Sequence, residues 1–449
     1  MTVRVQNREP VVHVTVRVEI QYGEAPMTPL TTAFERAAGL PVQRPAWADR
    51  KTSISYGLRV DRPGILLSLH EDFEPLKPVW QKLEREGDAT PFQSYAWLSA
   101  WQRHIGTKRR VKPAIVVGWD DAGGALFVLP LGIERGTVLN KLVWLGEGLC
   151  DYQGPLLAKD FSRHVSAAQF PALWQEIGEM LPSHQIATLG KMPERIGGQA
   201  NPFMTLGKMR RHACSAHLTV LKDDWASYYA EKRSSGSKKR DKQKRRKTEE
   251  LGDVRFVSAR TATERLATLE ALVSQKSVAF ARMGVANIFE KPGYLDFYRE
   301  LASDDEAEGL LHLSHLSVGG EIAAASCGLS MANSYFYVLA SYDEEAEAAR
   351  FGPGVIQLME LMSHATETGH RVFDFTIGDE AYKENWCEIE VPLFDYFEPN
   401  TLAGWAGVGP RIAFLQAKRF VKQSPVFWQG FTRLRAAIGG FFTARSVRV

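Results

Sequence analysis

Cysteine is scarce: Cys150, Cys214, Cys327 and Cys387 lie far apart in 449 residues and form no CxxC pair. That excludes a disulfide framework and a thiolate zinc site, and it fits a reducing compartment. Long apolar runs are missing as well. Nowhere do about 18 apolar residues follow one another, and no apolar signal-peptide core stands behind Arg4, Arg8 and Glu9. The sequence therefore reads as soluble and cytoplasmic. There is no GxSxG, no HExxH and no Cys–His pairing by motif, so neither a covalent hydrolase nor a zinc protease is read from it, and no metal is expected. A formal net charge of +3 is too small to imply nucleic acid or membrane by itself.

The composition that is present is ordinary for a globular protein, 45% hydrophobic and 24% charged, in a chain long enough for two domains with real cores. Residues 1–64 read as a partly disordered extension: Val11, Val14, Val16, Val18 and Ile20 make one strand pattern, and Pro26, Pro29, Pro41, Pro45 and Pro63 interrupt the rest of the segment. A first unit over 65–220 opens on strand Ile65–Leu69. A helical stripe, Tyr95, Leu98 and Trp101, comes next and reads as core before it reads as a substrate groove. Two strand patterns flank the Asp120–Gly124 turn, and a meander, a helix from Ala167 and a strand from Ile186 complete the unit. A second unit over 221–398 repeats the order. Strands begin at Leu310, Glu321 and Tyr335, and a helix and the strand Val372–Ile377 come after them. Both units are expected to be α/β with mixed central sheets, linked through a basic helix.

The chemistry concentrates between Ser341 and Trp386. The turn Arg350-Phe351-Gly352-Pro353-Gly354 opens a helix in which Val355, Leu358, Met359, Met362 and Ala365 recur at helical spacing. A glycine turn at a helix start offers free N–H groups and the positive end of a dipole, which suits a pyrophosphate such as that of coenzyme A. Arg350, Gly352, Gly354 and Val355 are accordingly the expected cofactor-binding residues.

The succession SYD, PG, FDF, a glycine, Glu380, Tyr382-Lys383 and Trp386 resembles the signature of GNAT-type acetyltransferases related to the cellulose-biosynthesis protein CelD, also described as BioF2-like. These are distant relatives of the Fem aminoacyltransferases. The resemblance runs from Ile65 to about Pro399. It implies two tandem GNAT-like units and acyl transfer from acetyl-CoA or another acyl-CoA, or from another activated ester, to a sugar, polysaccharide precursor or amine in envelope or exopolysaccharide biosynthesis. Two other readings stay open beside it: a Fem-like aminoacyltransferase using charged tRNA, and a non-catalytic binding protein that keeps the fold. It places Lys383 where Fem-like enzymes hold a lysine near the acyl carbonyl. The chain departs from many relatives in carrying Ala279-Phe280-Ala281 where they have a tryptophan.

Direct acyl transfer needs a base for the acceptor's proton and hydrogen-bond donors for the developing oxyanion. Asp374, Glu380, Lys383 and Tyr342 are the expected catalytic residues. Substrate contacts are expected from Tyr382, Trp386, Asp151, Tyr152 and Arg240, the first unit serving the acceptor. Asp374 has a plainer reading, that it meets solvent or pairs with Arg371, and Trp386 reads as core more readily than as a platform.

Charge is local. Lys232 to Lys247 carries ten Lys or Arg against Asp241 alone, a stripe suited to an anionic ligand, to anionic lipid or, with a Fem-like donor, to tRNA; its plainer reading is a solvated linker helix. The segment 399–449 holds eight Lys or Arg and no acid among eight aromatics, which suits a membrane surface at the inner face. Docking of those aromatics on the second unit is its plainer reading.

Overall fold

Period-two patterning becomes strand wherever a sheet buries one face. Leu311, Leu313, Leu316 and Val318 are buried in strand Leu311–Val318, whose backbone pairs on both sides, with Val254–Ser258 and with Glu321–Met331. The computed structural model describes residues 55–57, 64–304, 307, 309–378, 380–407 and 409. Its sequence elements build three larger sheets.

In the first half, Ser55–Gly57, Leu66–His70, Ile115–Trp119, Ala125–Leu129 and Leu156–Leu157 form a five-stranded sheet in that spatial order. A six-stranded sheet runs Met209–Arg211, Leu393–Pro399, Ile186–Pro193, Asn140–Trp144, Leu131–Arg135, Val111–Pro113. The seven-stranded sheet of the second half runs Val254–Ser258, Leu311–Val318, Glu321–Met331, Ser334–Tyr342, Val372–Ile377, Ala216–Val220, Ile389–Val391. Antiparallel pairing dominates, but each half contains one parallel pair, Asn140–Trp144 with Ile186–Pro193 and Ser334–Tyr342 with Val372–Ile377. The crossovers carry the helices Phe170–Met180 and Pro353–Glu367. The architecture is α/β with mixed sheets.

The two halves exchange strands. Ala216–Val220, expected in the first unit, lies between Val372–Ile377 and Ile389–Val391 of the second sheet. Leu393–Pro399, expected in the second, pairs with Ile186–Pro193 of the first. The chain therefore enters the second sheet before it reaches the basic helix Ser235–Glu249, so that helix is not the sole connection between units. The local match between the halves goes further. Lys191 (φ 58°) and Thr376 (φ 57°) occupy the left-handed region in the two equivalent strands, and each strand faces a register shift in its exchanged neighbour.

One continuous core joins both halves. Trp97, on helix Tyr95–Trp101, is fully buried edge-on against Phe297 of helix Tyr294–Ser303 at 4.8 Å, and Phe92 meets Phe336 at 6.1 Å. Tyr95, Leu98 and Trp101 are buried in that core. Because each half completes the other's sheet, thermal or denaturant unfolding is expected as one transition by fluorescence and circular dichroism. Two separated transitions would contradict this.

The expected extension does not stay wholly outside the fold. Ser55–Gly57 adds an antiparallel edge strand to Leu66–His70. The strand pattern over Val11–Ile20 and nearly all of the basic aromatic tail fall outside the described residues. Among the described residues no helix is long and apolar enough to cross a membrane.

Candidate active site

Strands Ser334–Tyr342 and Val372–Ile377 pair in parallel only at Ser334↔Val372, Tyr335↔Phe373 and Phe336↔Asp374. Beyond that register no ladder pairing joins them among the described residues. One edge of Leu339–Tyr342 stays bonded to Ala324–Cys327, and the other has no strand partner among the described residues, which leaves a wedge-shaped gap in the sheet. The apex is tied by Thr376, whose hydroxyl donates to the Tyr337 carbonyl at 3.2 Å and whose N–H donates to Oδ1 of Asp374 at 2.7 Å. A β-branched residue at positive φ is strained by about 1–2 kcal/mol, so the surroundings must hold it there. Strain of this kind concentrates at functional sites.

Asp374 sits at the last paired register and is buried. Its Oδ2 accepts the Tyr152 hydroxyl at 2.7 Å, a bond that reaches from the first half. Burial pushes its carboxyl up to about 7, against the pull of the Tyr152 and Thr376 hydrogen bonds and of Lys383. The solvent or Arg371 reading of Asp374 is thereby corrected: Arg371 pairs with Asp223 at 2.7 Å instead. Burial also raises the carboxyl of Asp151, while Lys191 draws it down; the ammonium stands 3.9 Å from Oδ1 and donates to the Cys150 carbonyl at 2.7 Å.

Lys383 is only 4% exposed and donates to the carbonyls of Thr376, Ile377 and Gly378 at 3.2, 3.2 and 3.3 Å. Its fourth partner is Glu380 at 2.9 Å, whose side chain is 56% exposed. The ammonium thus ties together the strand end, the turn and the only one of these carboxylates that opens broadly to solvent. To meet an oxyanion, as the resemblance implies, it would have to release one of these acceptors. Lys276 faces Glu380 from helix Ala262–Met283, and desolvation lowers its ammonium's pKa.

At the wide end of the wedge, Gly352 caps helix Pro353–Glu367 with φ 73°, the left-handed geometry that glycine adopts without strain. Pro353 has no N–H, and Val355 donates to the Gly352 carbonyl at 3.1 Å, which leaves Gly354 at the helix start. Tyr342 packs here, with Cδ1 3.6 Å from where a Cβ on Gly354 would stand, and so lies with the glycine turn rather than beside Asp374. Arg350 covers the Phe351 ring at 4.7 Å and pairs with Glu347.

The basic helix is more than a solvated linker. Its buried Asp241 is held by Arg233 at 3.0 Å from both nitrogens and by the Tyr229 hydroxyl at 2.9 Å. Its last turns lie along the glycine turn. Lys244 Nζ would stand 3.1 Å from a Cβ on Gly352, and Lys247 lies over the Phe351 ring at 5.7 Å. Arg240, one turn back along the same face from Lys244, is exposed and donates to Ser237 at 3.1 Å.

Two expected substrate contacts are corrected by burial. Trp386 is 3% exposed, stacked on Trp225 at 6.4 Å and covered by the Arg233 guanidinium at 4.8 Å. Tyr152 is equally enclosed between Phe92 and Phe336. Tyr382 remains open to solvent at the mouth. Sequence reasoning missed Thr376, Lys191, Lys244 and Lys276. Of these only Lys244 lies in the basic run, and its signal gave charge without direction. Among the described residues no group of three or more His, Cys, Asp or Glu is placed to hold a metal.

Residues 235–384 match the family described as Acetyltransferase (GNAT) domain. Among solved structures, FemX is similar over 73% of this chain and 96% of its own, at 11% identity and a TM-score of 0.51. A conserved protein of unknown function from Bacteroides thetaiotaomicron VPI-5482 is similar over 73% and 98%, at 10% identity and 0.47. A tandem GNAT protein from the clavulanic acid biosynthesis pathway is similar over 75% and 98%, at 10% identity and 0.37. No match was found among curated proteins. Residues 235–384 thus carry a GNAT acetyltransferase domain, which makes the chain an acyltransferase enzyme, and the FemX likeness shows the fold over 73% of the chain.

Proposed function

We propose that this chain transfers an acetyl or other acyl group from coenzyme A to a sugar, a polysaccharide precursor or an amine of envelope or exopolysaccharide synthesis. The observation that carries the reading is the wedge between two parallel strands with a glycine turn and a helix start at its wide end. From Phe336 to Tyr342 the strand edge runs on the order of 20 Å, long enough to lie beside the pantetheine arm. The pyrophosphate then meets Gly354 N–H and Lys244, and the thioester lies near the apex. A strand-edge N–H of Leu339–Ser341 serves the oxyanion.

In this reading Asp374 takes the acceptor's proton, since a carboxyl titrating near neutrality is matched to that task. Glu380 meets the acceptor at the mouth beside Tyr382, held in place by Lys383. Attack of the acceptor oxygen or nitrogen on the thioester carbon releases the thiolate of coenzyme A. No enzyme nucleophile is required. The first half has no proline-glycine turn before its crossover helix, so one donor is bound per chain.

Calorimetric titration with acetyl-CoA tests this. One site per chain is expected, with Gly352→Val weakening binding by at least about tenfold, because a β-branched residue is strained at positive φ and its Cβ meets Lys244. Absence of binding would remove the coenzyme A reading. A second reading, transfer from aminoacyl-tRNA, draws on cations of the basic helix that face solvent, among them Lys239, Arg240 and Lys242. Affinity for tRNA that falls steeply with salt, with none for acetyl-CoA, would favour it.

A further inference from the structure

Tyr152 is buried, 222 residues away in sequence from the carboxylate it bonds, and is too enclosed to touch a substrate. Its placement is over-determined. The ring lies 6.1 Å from Phe92 of its own half and 6.1 Å from Phe336 of the other. Its carbonyl accepts Gln93 Nε2 at 2.8 Å, and the next residue's N–H donates to the Lys191 carbonyl at 3.0 Å. Phe336 is the strand partner of Asp374 itself. The loop Leu145–Gln153 comes after strand Asn140–Trp144 as Asp343–Gly352 comes after Ser334–Tyr342, so the two stand at equivalent places in the repeat. Instead of opening a helix through a proline-glycine turn, the first-half loop closes on the apex of the other half's wedge.

We propose that Tyr152 is a positioning residue: reaching from the first half, its hydroxyl fixes Oδ2 of Asp374 and so makes the second half's reaction depend on the first. The proposal rests on the reading of Asp374 as the acceptor's base. With Oδ1 taken by Thr376 N–H and Oδ2 by Tyr152, the carboxylate is held in one orientation and keeps a free lone pair on each oxygen. A hydrogen bond to the charged form favours that form, so the phenol also keeps the base ionised near neutral pH. The phenol stays a donor, because burial raises its own pKa well above the ordinary value. The charged and titratable groups that face the pair are Lys383 and Asp151, with Cys387 toward Tyr152. Lys191 and Glu380 in turn face Asp151.

The test compares wild type, Tyr152→Phe, Asp374→Asn and the double variant in the full chain, with acetyl-CoA as donor. The rate is that of transfer to the best acceptor in an amine and sugar panel, or of slow thioester hydrolysis where no acceptor turns over. Tyr152→Phe should leave acetyl-CoA affinity within about twofold and lower the rate about tenfold at pH 7. It should also move the acid limb of the pH–rate profile up by about one unit, which a merely structural role would not do. The double variant should be no slower than Asp374→Asn alone. Wild-type rate and an unmoved profile in a folded Tyr152→Phe would overturn the proposal while Asp374→Asn stayed slow. An Asp374→Asn variant as fast as wild type would instead overturn the reading of Asp374 on which the proposal rests.

Discussion

Lys383→Ala is expected to lower turnover by about 100-fold or more and to lower the melting temperature as well. The substitution removes the donor that holds three carbonyls, those of Thr376, Ile377 and Gly378, and frees Glu380 at the mouth. Leaving such acceptors unsatisfied costs on the order of 3 kcal/mol, a large part of a typical domain's stability. Glu380→Gln separates chemistry from architecture, because a glutamine oxygen still accepts from Lys383. It should unfold at nearly the wild-type temperature yet turn over about 100-fold more slowly. Steady-state kinetics and thermal denaturation on the same preparations check both. Wild-type turnover in both variants would contradict the assignment of this site.

The second large effect is on stability at acid pH. His312 is held between Ser258 at 2.9 Å and the Tyr335 hydroxyl at 2.9 Å, and its ring stacks on His364 at 5.3 Å. Burial, then the neighbouring His364 and His370, push its pKa down to about 3. The native state keeps it neutral, whereas the unfolded chain protonates it near 6.5. Its contribution is therefore complete above pH 6.5 and is lost as pH falls from 6.5 toward 3. By pH 5 that loss is about 2 kcal/mol. Asp374 and Glu84, both raised to about 7, titrate in the opposite sense, so the readout is the difference from His312→Gln. Urea titrations at pH 7 and pH 5 should show a smaller fall in the variant than in wild type. Equal falls would contradict the assignment.

Much of the second half was legible because its signals are local. The glycine turn, the helical spacing after Val355 and the alternation Phe373, Phe375, Ile377 each specify an element, and Val372–Ile377 ends where the pattern ends. The strand exchange was not legible. AHLTV reads as a strand wherever it lies, and no property of Ala216–Val220 says which sheet receives it. Alternation told that Asp374 faces away from Phe373 and Phe375, but not that Tyr152 covers that face from the other half. The expectation of substrate contacts at Asp151 and Tyr152 put the first-half loop near a site. It gave no sign that the loop would cross the boundary. The carbonyl cage around Lys383 is backbone chemistry and leaves no trace in side-chain identity.

The central claim is that the acyl donor lies in the wedge between Ser334–Tyr342 and Val372–Ile377. A crystal or cryo-EM map of the protein with acetyl-CoA tests it most directly. The account predicts pyrophosphate density at Gly354 and Lys244, the pantetheine arm along Leu339–Tyr342, and the thioester within reach of Asp374 and the Glu380–Lys383 turn. Clear density for the donor elsewhere, such as the groove beside helix Phe170–Met180 lined by His184, Lys208 and Glu398, would contradict it.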